Sequence, residues 1–423
     1  MAAAPGGRWS GVDLAPPNAI FNLKKLYNED ASAVKANLGV GAFRTEEGEP
    51  YVLQVVQRAE ALYQGKLASG EWNKEYLPIK GNVGMQALAR KLAFGEACAA
   101  DGAGRIASVQ AISGTGALRL AGEFLARWGG ADTVLYIPDQ TWANHAAIFR
   151  ESQIGDVRKY AYYDPATCSL NFAGLMADLR TAPTGAVFLL QAVAHNPTGV
   201  DPTEAQWREI IGVMRARSLF AVFDNAYQGF ATGSLERDAF AIREFVSQGL
   251  ECMVCQSFSK NLGLYNERAG CLHAVCASAE DARKVGSQLE LIIRAMYSNP
   301  PDHSARLVEL VLGTPELRRL WQEEIEYMSG AIATRRQALY AELQRLGTPS
   351  NTANGKWNHV VDQIGMFCFT GLTVEQCWIL EREHHVYLLK NGRISMAGVC
   401  AANVKHVAAA IHDAVTRPAQ SKL

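Results

Sequence analysis

The chain has 423 residues, of which 48% are hydrophobic and 20% are charged, and its formal net charge at pH 7 is -1. This is the composition of an ordinary globular protein that is large enough for two or three domain-sized units. The balanced charge favours neither a nucleic-acid partner nor an anionic membrane surface, and no apolar run approaches the roughly 20 residues that cross a bilayer.

The first residues predict an extended arm rather than a targeting sequence. The N-terminus lacks the apolar stretch of a signal peptide, and its first 20 residues carry a single arginine, too few for a mitochondrial presequence. The segment Leu14-Ala-Pro-Pro17 fits an extended conformation. We predict an arm over residues 1–14, a small α+β domain formed by residues 15–49 and 326–423, and a large domain over residues 50–325.

The middle of the chain alternates apolar runs with helical stretches, which predicts βαβ units and a parallel sheet of the α/β class. Four of these runs end at or shortly before polar residues. Because ligands bind outside the carboxyl ends of the strands in such sheets, the four polar clusters predict one shared crevice. The runs and their polar clusters are 107–112 with Ser113-Gly-Thr-Gly116, 185–192 with His195-Asn-Pro-Thr-Gly199, 219–223 with Asp224, and 252–255 with Ser257-Phe-Ser-Lys-Asn261.

The nine cysteines predict reduced thiols in an intracellular compartment, because their number is odd and they are scattered through a large chain. Cys252 and Cys255 form a lone C-x-x-C with no second pair at zinc spacing. Positions i and i+3 of a strand face opposite ways, so we expect buried structural thiols and no metal site.

The C-terminal third predicts a long helix over residues 321–346, which contain no proline and one glycine. The chain ends in Ser421-Lys-Leu423, the tripeptide of peroxisomal import, after a polar segment that contains a proline. We therefore expect an import receptor as a partner and a location in the peroxisome or glycosome, with a cytoplasmic fraction as the alternative.

The glycine-rich segments do not complete a nucleotide motif. Gly114 and Gly116 begin a dinucleotide fingerprint, but Arg119 occupies the position of the third glycine. Ser113-Gly-Thr-Gly116 nevertheless opens a predicted helix after a strand. Because backbone N–H groups and the helix dipole hold anions there, the segment predicts a phosphate site.

A phosphate site, a strand-end carboxylate and a lysine between serines suit pyridoxal 5′-phosphate. This cofactor needs a lysine amine to form a Schiff base and a carboxylate on its pyridine nitrogen, because the protonated ring is the electron sink. Lys260 and Asp224 can supply these groups. Each residue alone is a weak signal, since most lysines are solvated and a strand-end aspartate is often a helix cap.

The chain resembles the aspartate aminotransferases of the fold-type I pyridoxal-phosphate enzymes nearly from end to end. This resemblance implies an α/β large domain with a mostly parallel seven-stranded sheet flanked by helices, and a smaller α+β domain. The motifs that carry it are Leu14-Ala-Pro-Pro17, Leu38-Gly-Val-Gly-Ala-Phe-Arg44, Glu75-Tyr-Leu-Pro-Ile79, Ser113-Gly-Thr-Gly-Ala117, Trp142-Ala-Asn-His145, His195-Asn-Pro-Thr-Gly199, Asp224-Asn-Ala-Tyr-Gln-Gly-Phe-Ala231, Ser257-Phe-Ser-Lys-Asn261, Gly263-Leu-Tyr-Asn-Glu-Arg268, Tyr297-Ser-Asn-Pro-Pro301, Gly365-Met-Phe367 and Gly392-Arg393-Ile394.

The resemblance implies a role for each matching position. Lys260 would be the Schiff-base lysine, Asp224 the partner of the pyridine nitrogen, and Trp142 the aromatic ring stacked on the cofactor. Asn196 and Tyr227 would bind the phenolic oxygen. The phosphate contacts would be Ser113, Gly114, Thr115, Ser257 and Arg268, with Tyr76 supplied by the neighbouring subunit, and Ser259 would be a further cofactor-binding residue.

Two arginines match the substrate clamps of the family. Arg393 would hold the α-carboxylate, and Arg294 of the neighbouring subunit would hold the distal carboxylate, because a guanidinium makes two parallel bonds to a carboxylate. Val40 and Gly41 would close over the substrate. The resemblance thus implies a homodimer that transfers the amino group of L-aspartate to 2-oxoglutarate with ping-pong kinetics, giving oxaloacetate and L-glutamate.

Two departures from the family pattern leave alternatives open. Gln191 stands where animal relatives usually have a histidine, which bears on the acidity of the cofactor ring. Ala295 stands where many relatives have a proline, so a broad-specificity enzyme that also accepts aromatic amino acids is the second prediction. A catalytically silent scaffold is the third, but such a relative would be expected to lose Lys260 or Asp224.

Overall fold

A computed structural model describes residues 7–130 and 132–418 of the chain. The strands are Ala36–Asn37 (β1), Ile106–Ile112 (β2), Val134–Pro138 (β3), Asp156–Tyr160 (β4), Tyr163–Asp164 (β5), Ser169–Leu170 (β6), Val187–Gln191 (β7), Phe220–Asn225 (β8), Cys252–Ser257 (β9), Ala269–Val275 (β10), Phe367–Phe369 (β11), Val386–Tyr387 (β12) and Arg393–Ser395 (β13). The α-helices are Ala19–Glu29 (α1), Gln54–Ala68 (α2), Val83–Phe94 (α3), Ala99–Gly102 (α4), Ser113–Trp128 (α5), Asn144–Glu151 (α6), Phe172–Thr181 (α7), Glu204–Ala216 (α8), Phe240–Ser247 (α9), Ala279–Met296 (α10), Asp302–Gly313 (α11), Pro315–Arg345 (α12), His359–Asp362 (α13), Val374–His384 (α14) and Val404–Thr416 (α15).

A sheet of seven strands forms the centre of the molecule, in the order β2-β10-β9-β8-β7-β3-β4. Strand β10 runs antiparallel to both of its neighbours, and the pairs from β9 to β4 are parallel. The predicted α/β class and the mostly parallel seven-stranded sheet are confirmed.

Side chains of the central strands alternate between two apolar cores. In β8, Phe223 packs with Trp207 and Ile210 of α8, whereas its neighbour Val222 packs in the core that contains Leu118 of α5. Strands covered by helices on both faces are buried on both faces, which explains why β7 is a continuous apolar run up to Gln191.

The four predicted strands are present, and two of them extend beyond the C-terminal ends of their apolar runs. Strand β8 continues through Asp224 to Asn225, and β9 continues to Ser257. Ladder bonds join backbone groups, so pairing continues where the side chains become polar: Gln191 is in register with Asp224, and Asn225 with Gln256.

The remaining elements include two short sheets and the long helix. Strand β1 pairs in parallel with β12, and β11 pairs with β13, so N-terminal and C-terminal segments meet. Helix α12 begins at Pro315, before the predicted start at residue 321, because proline is tolerated in the first turn of a helix. The pairing of β1 with β12 fits the predicted division into domains, which stays a prediction.

The two cysteines of the C-x-x-C motif lie in the core of the protein. Cys252 and Cys255 are buried and unpaired, and residues 7–130 and 132–418 contain no cluster of three metal-ligating side chains. No helix in the same ranges is long and apolar enough to cross a membrane. The tripeptide Ser421-Lys-Leu423 lies outside the described residues.

Candidate active site

A cavity of about 240 Å³ lies at the carboxyl ends of the sheet strands, where the sequence predicted the shared crevice. It collects residues from all four predicted polar clusters and from the segment before α2. Its lining residues are Gly41, Ser113, Gly114, Thr115, Leu118, Trp142, Asn196, Asp224, Ala226, Tyr227, Ser257, Ser259, Lys260, Tyr265 and Arg268.

Three serine hydroxyls meet at one end of this cavity. The Ser113 Oγ lies 3.0 Å from that of Ser257 and 2.7 Å from that of Ser259. Ser113 and Arg268 both have positive φ angles of 57°, and the Ser113 N–H donates to the Arg268 carbonyl at 3.1 Å. Left-handed backbone is unfavourable for residues with a side chain and is concentrated at functional sites. The strain at Ser113 and Arg268 therefore indicates that this end of the cavity has a functional role.

The same end has the features of an anion cradle. Ser113 and Gly114 open α5, whose N-terminus carries positive partial charge. A Cβ atom at Gly114 would lie 3.2 Å from the Cβ of Ser257, so the glycine keeps the floor of the cradle open. Arg268 donates to Ser259 Oγ at 3.3 Å and to the Tyr265 carbonyl at 2.8 Å, and its partial burial lowers the pKa of the guanidinium.

Lys260 lines the same cavity. Its Nζ lies 5.2 Å from the centroid of the Tyr227 ring. Burial lowers the pKa of the amine, the carboxylate of Asp224 opposes this shift, and the charge of Arg268 adds to it. In the described part of the chain, Lys260 forms no ion pair, so the amine and the carboxylate share one cavity without touching.

Asp224 and the aromatic residues form the opposite wall. His145 Nε2 lies 3.1 Å from Asp224 Oδ2, and the Trp142 ring packs edge-on against His145 with centroids 5.3 Å apart. Burial raises the pKa of Tyr227, so its hydroxyl is a hydrogen-bond donor at neutral pH. The carboxylate, the indole and the phenol thus line one cavity together with Lys260.

Arg393, at the start of β13, is buried beside the cavity. It donates to Asn196 Oδ1 at 3.3 Å and to the Gly39 carbonyl at 2.6 Å, and its Nε has no hydrogen-bond partner among the residues that the structure describes. Burial lowers the pKa of Arg393 to about 10, so it is charged at neutral pH. In residues 7–130 and 132–418 no carboxylate pairs with it, and a buried charge without a counter-ion is costly unless an anionic ligand binds.

Tyr76 and Arg294 lie together in a second cavity of about 450 Å³, apart from Lys260. Both side chains are accessible, and Arg294 donates to Ser298 Oγ at 2.5 Å. A single chain therefore does not bring these two predicted residues to the first cavity. Val40 is the neighbour of Gly41, which lines the first cavity.

Sequence reasoning missed Tyr265, although it lies in a quoted motif. Its hydroxyl accepts the backbone N–H of Phe43 at 3.1 Å, and burial raises the pKa of this tyrosine to about 12. The bond ties the segment around Gly41 to the cavity wall. It joins residues 222 positions apart in the chain, so no local sequence pattern signals it.

These residues fit pyridoxal phosphate. The cradle around Ser113 suits the phosphate, the carboxylate of Asp224 suits the pyridine nitrogen, and the amine of Lys260 suits the aldehyde. The open floor at Gly114 and the unpaired charge of Arg393 indicate room for the cofactor and an anionic substrate. Fold and site together define a pyridoxal-phosphate enzyme of the α/β class.

Comparison with known proteins identifies the family. Residues 33–411 match the family model for aminotransferase class I and II, so the chain belongs to this family. It is 48% identical to the cytoplasmic aspartate aminotransferase of Oryza sativa subsp. japonica, over 97% of this chain and 98% of that protein.

Solved structures show the same similarity. The structure of the cytoplasmic aspartate aminotransferase from Giardia lamblia has a TM-score of 0.93 and 42% identity, and covers 97% of this chain and 99% of that one. An aromatic-amino-acid aminotransferase from Burkholderia pseudomallei, covalently bound to pyridoxal phosphate, has a TM-score of 0.92 and 37% identity, covering 97% and 100%.

Asp224 and Arg268 shift the pKa of the Lys260 amine in opposite directions. Removal of either charge should therefore change the reactivity of the amine in opposite directions. Asp224→Asn removes a negative neighbour, so more of the amine is neutral at pH 8, and its rate of attachment to pyridoxal should rise roughly twofold to fivefold. Arg268→Gln should lower the rate by a similar factor. Cofactor-free protein is treated with pyridoxal and borohydride, and the Lys260 peptide is quantified by mass spectrometry.

The control is Arg150→Gln, which changes an exposed arginine of α6. This variant should react at the wild-type rate. Pyridoxal lacks the phosphate, so loss of the cradle contact at Arg268 does not enter the comparison. Rate changes of the same sign in the Asp224 and Arg268 variants would contradict the assignment of opposing charges.

Proposed function

We propose that this protein is an aspartate aminotransferase, which transfers the amino group of L-aspartate to 2-oxoglutarate and yields oxaloacetate and L-glutamate. The main support for the proposal comes from two arginines. Neither Arg393 nor Arg294 has a carboxylate partner in the described part of the chain. A dicarboxylic amino acid presents one carboxylate to each of them. The relatives named aspartate aminotransferase support the same assignment.

Lys260 is the proposed acid–base residue. Pyridoxal phosphate supplies an electron sink that makes the Cα proton of a bound amino acid acidic. The amine of Lys260, neutralised in part by burial, takes the proton from Cα and returns a proton during the second half-reaction. The direction of the pKa shift favours this role at neutral pH.

The other cavity residues orient the reactants. With pyridoxal phosphate bound, Asp224 would pair with the pyridine nitrogen, Tyr227 and Asn196 would bind the phenolic oxygen, and Trp142 would stack on the ring. Arg393 holds the α-carboxylate, which supplies the anion that its guanidinium lacks. Gly41 lines the cavity, and Val40 and Gly41 would close over the bound substrate and exclude water.

We further propose a homodimer in which each site is completed by the neighbouring subunit. Tyr76 and Arg294 share a cavity that lies apart from Lys260 in one chain. A second copy that places this cavity against the first one would supply a phosphate contact and the distal-carboxylate clamp together. An interface that contributes catalytic-site residues makes the dimer a requirement for activity.

Arg294→Ala should remove the preference for dicarboxylic substrates. We expect kcat/KM for aspartate to fall by about 10²–10³-fold, because a bidentate pair to a carboxylate is lost. The same parameter for alanine, which has no distal carboxylate, should change by less than about threefold. Steady-state kinetics with both donors measures the two effects.

Arg283→Ala is the matched control, since Arg283 is an exposed arginine on the same helix, α10. Its kinetics with both donors should match those of the wild type. An equal loss for aspartate and alanine in Arg294→Ala would argue against recognition of the distal carboxylate.

A broad-specificity enzyme that also accepts aromatic amino acids is the second candidate. Ala295 next to the proposed clamp and the likeness to an aromatic-amino-acid aminotransferase favour it. The kinetic assay separates the candidates when phenylalanine and tyrosine are added as donors. Turnover of both that is undetectable beside that of aspartate would remove this alternative.

We propose that the protein is imported into peroxisomes or glycosomes. The tripeptide Ser421-Lys-Leu423 supports this, since import receptors read it at a free C-terminus. The cytoplasmic name of the rice relative supports cytoplasmic residence as the alternative. A fluorescent reporter that ends in residues 412–423 should enter the organelle, and the same reporter without Leu423 should stay in the cytosol. Identical distributions would refute the import proposal.

A further inference from the structure

His303 lies between two carboxylates next to the proposed phosphate cradle. It is in the first turn of α11, and its Nδ1 atom lies 3.0 Å from Glu267 Oε2. Its Nε2 atom lies 3.1 Å from Oε2 of Glu60, a residue of α2. The imidazole and the Tyr63 ring pack edge to face, with centroids 4.7 Å apart and planes at 84°. Three contacts therefore hold the imidazole in one orientation.

Glu267 immediately precedes Arg268, the arginine of the cradle. Arg268 lines the cavity, whereas Glu267 and His303 are not among the lining residues. The backbone at Arg268 is left-handed, with a φ angle of 57°, and its carbonyl accepts the Ser113 N–H at 3.1 Å. This backbone keeps Glu267 close to the cradle, so the position of its carboxylate affects an anion that binds there.

A carboxylate beside an anion site is unfavourable for two reasons. It repels the charge of a bound phosphate, and it can pair with the arginine that would otherwise bind the phosphate. In the described part of the chain, Arg268 donates to Ser259 Oγ and the Tyr265 carbonyl and has no carboxylate partner, while the Glu267 carboxylate bonds His303 instead. Burial lowers the pKa of the Arg268 guanidinium, a shift that a paired carboxylate would oppose.

The two ring nitrogens of His303 have separate partners. A carboxylate only accepts hydrogen bonds, so the doubly protonated ring donates to Glu267 from Nδ1 and to Glu60 from Nε2. The amide of a shorter asparagine side chain would lie near the position of Nδ1, and that of a glutamine near the position of Nε2. Substitution by one or the other should therefore keep one of the two bonds and remove the other.

We propose that His303 is a positioning residue that binds the Glu267 carboxylate and so keeps Arg268 free for the phosphate group of the cofactor, while Glu60 fixes the orientation of the imidazole. The inference deepens the proposed function and rests on it, because that function assigns a phosphate to the cradle. The side chains of His303 and Glu267 are 34% and 42% exposed, so solvent screens their charges and the effect on affinity is modest.

The test compares the affinities of cofactor-free, full-length protein for pyridoxal phosphate and for pyridoxal, measured by absorbance titration. His303→Gln keeps a donor for Glu60 and releases Glu267, so the dissociation constant for pyridoxal phosphate should rise roughly threefold to tenfold. The constant for pyridoxal should stay within about twofold of the wild type, because no phosphate charge is involved. His303→Asn, which keeps a donor for Glu267, should have the wild-type constants for both ligands.

Removal of the Glu267 charge separates this role from a merely structural one. When His303→Gln is combined with Glu267→Gln, no carboxylate is left to compete for Arg268, so the wild-type affinity for pyridoxal phosphate should return. If His303 only supported the fold, the second substitution would not restore the affinity. The proposal is wrong if His303→Gln binds pyridoxal phosphate normally, if the double variant binds it as weakly as His303→Gln, or if both ligands lose affinity equally.

A second partly exposed histidine–carboxylate pair provides the matched control. His384 Nε2 lies 2.7 Å from Asp413 Oδ2, and these side chains are 26% and 39% exposed. The pair joins α14 to α15, and neither residue lines the cavity. His384→Gln should therefore leave both dissociation constants at their wild-type values.

Failure of the proposed function would give a different result. Wild-type protein that takes up no pyridoxal phosphate would end the proposed function. Inorganic phosphate, titrated against the same cofactor-free variants and followed by ³¹P NMR, would still report on the cradle. Its affinity should fall in His303→Gln and return in the double variant, and an affinity that is equal in all variants would refute the role of His303.

Discussion

Burial of the Lys260 amine beside the Asp224 carboxylate, without a direct ion pair, is the constraint on which the rest of the site depends. Desolvation lowers the pKa of the amine and the carboxylate limits that effect, so the amine is reactive and still able to carry a proton. The parallel sheet makes this possible because neighbouring strand ends bring both groups to one edge. A direct pair would instead satisfy both charges and leave no place for a ring between them.

Strained backbone and a buried charge are concentrated in the walls of the cavity. Ser113 and Arg268 adopt left-handed backbone, and among the described residues the buried Arg393 has no counter-ion, so unfavourable energy is concentrated where an anion would relieve it. Such preorganisation lets binding energy act on orientation rather than on folding of the site. The separate cavity that holds Tyr76 and Arg294 adds a second constraint, since under the proposed function one chain alone would carry an incomplete set of cofactor and substrate contacts.

Local sequence pattern predicted the sheet and much of the site, because both are determined by short segments of the chain. Apolar runs followed by polar clusters located Ser113, Asp224 and Lys260 at strand ends, and the cavity joins them. Pattern could not reveal the bond between Tyr265 and Phe43, since this contact joins distant segments through side-chain geometry. The extension of β8 beyond its apolar run was missed for a related reason: backbone pairing, not hydrophobicity, sets where a strand ends.

The visible spectrum of purified protein loaded with pyridoxal phosphate tests the role of Lys260 most directly. The bound cofactor should absorb in the visible range, the band should disappear when aspartate is added, and 2-oxoglutarate should restore it. Lys260→Ala should lack this band and the response while keeping the fold. A wild-type spectrum that ignores aspartate, or a Lys260→Ala protein with the same band and response, would contradict the account.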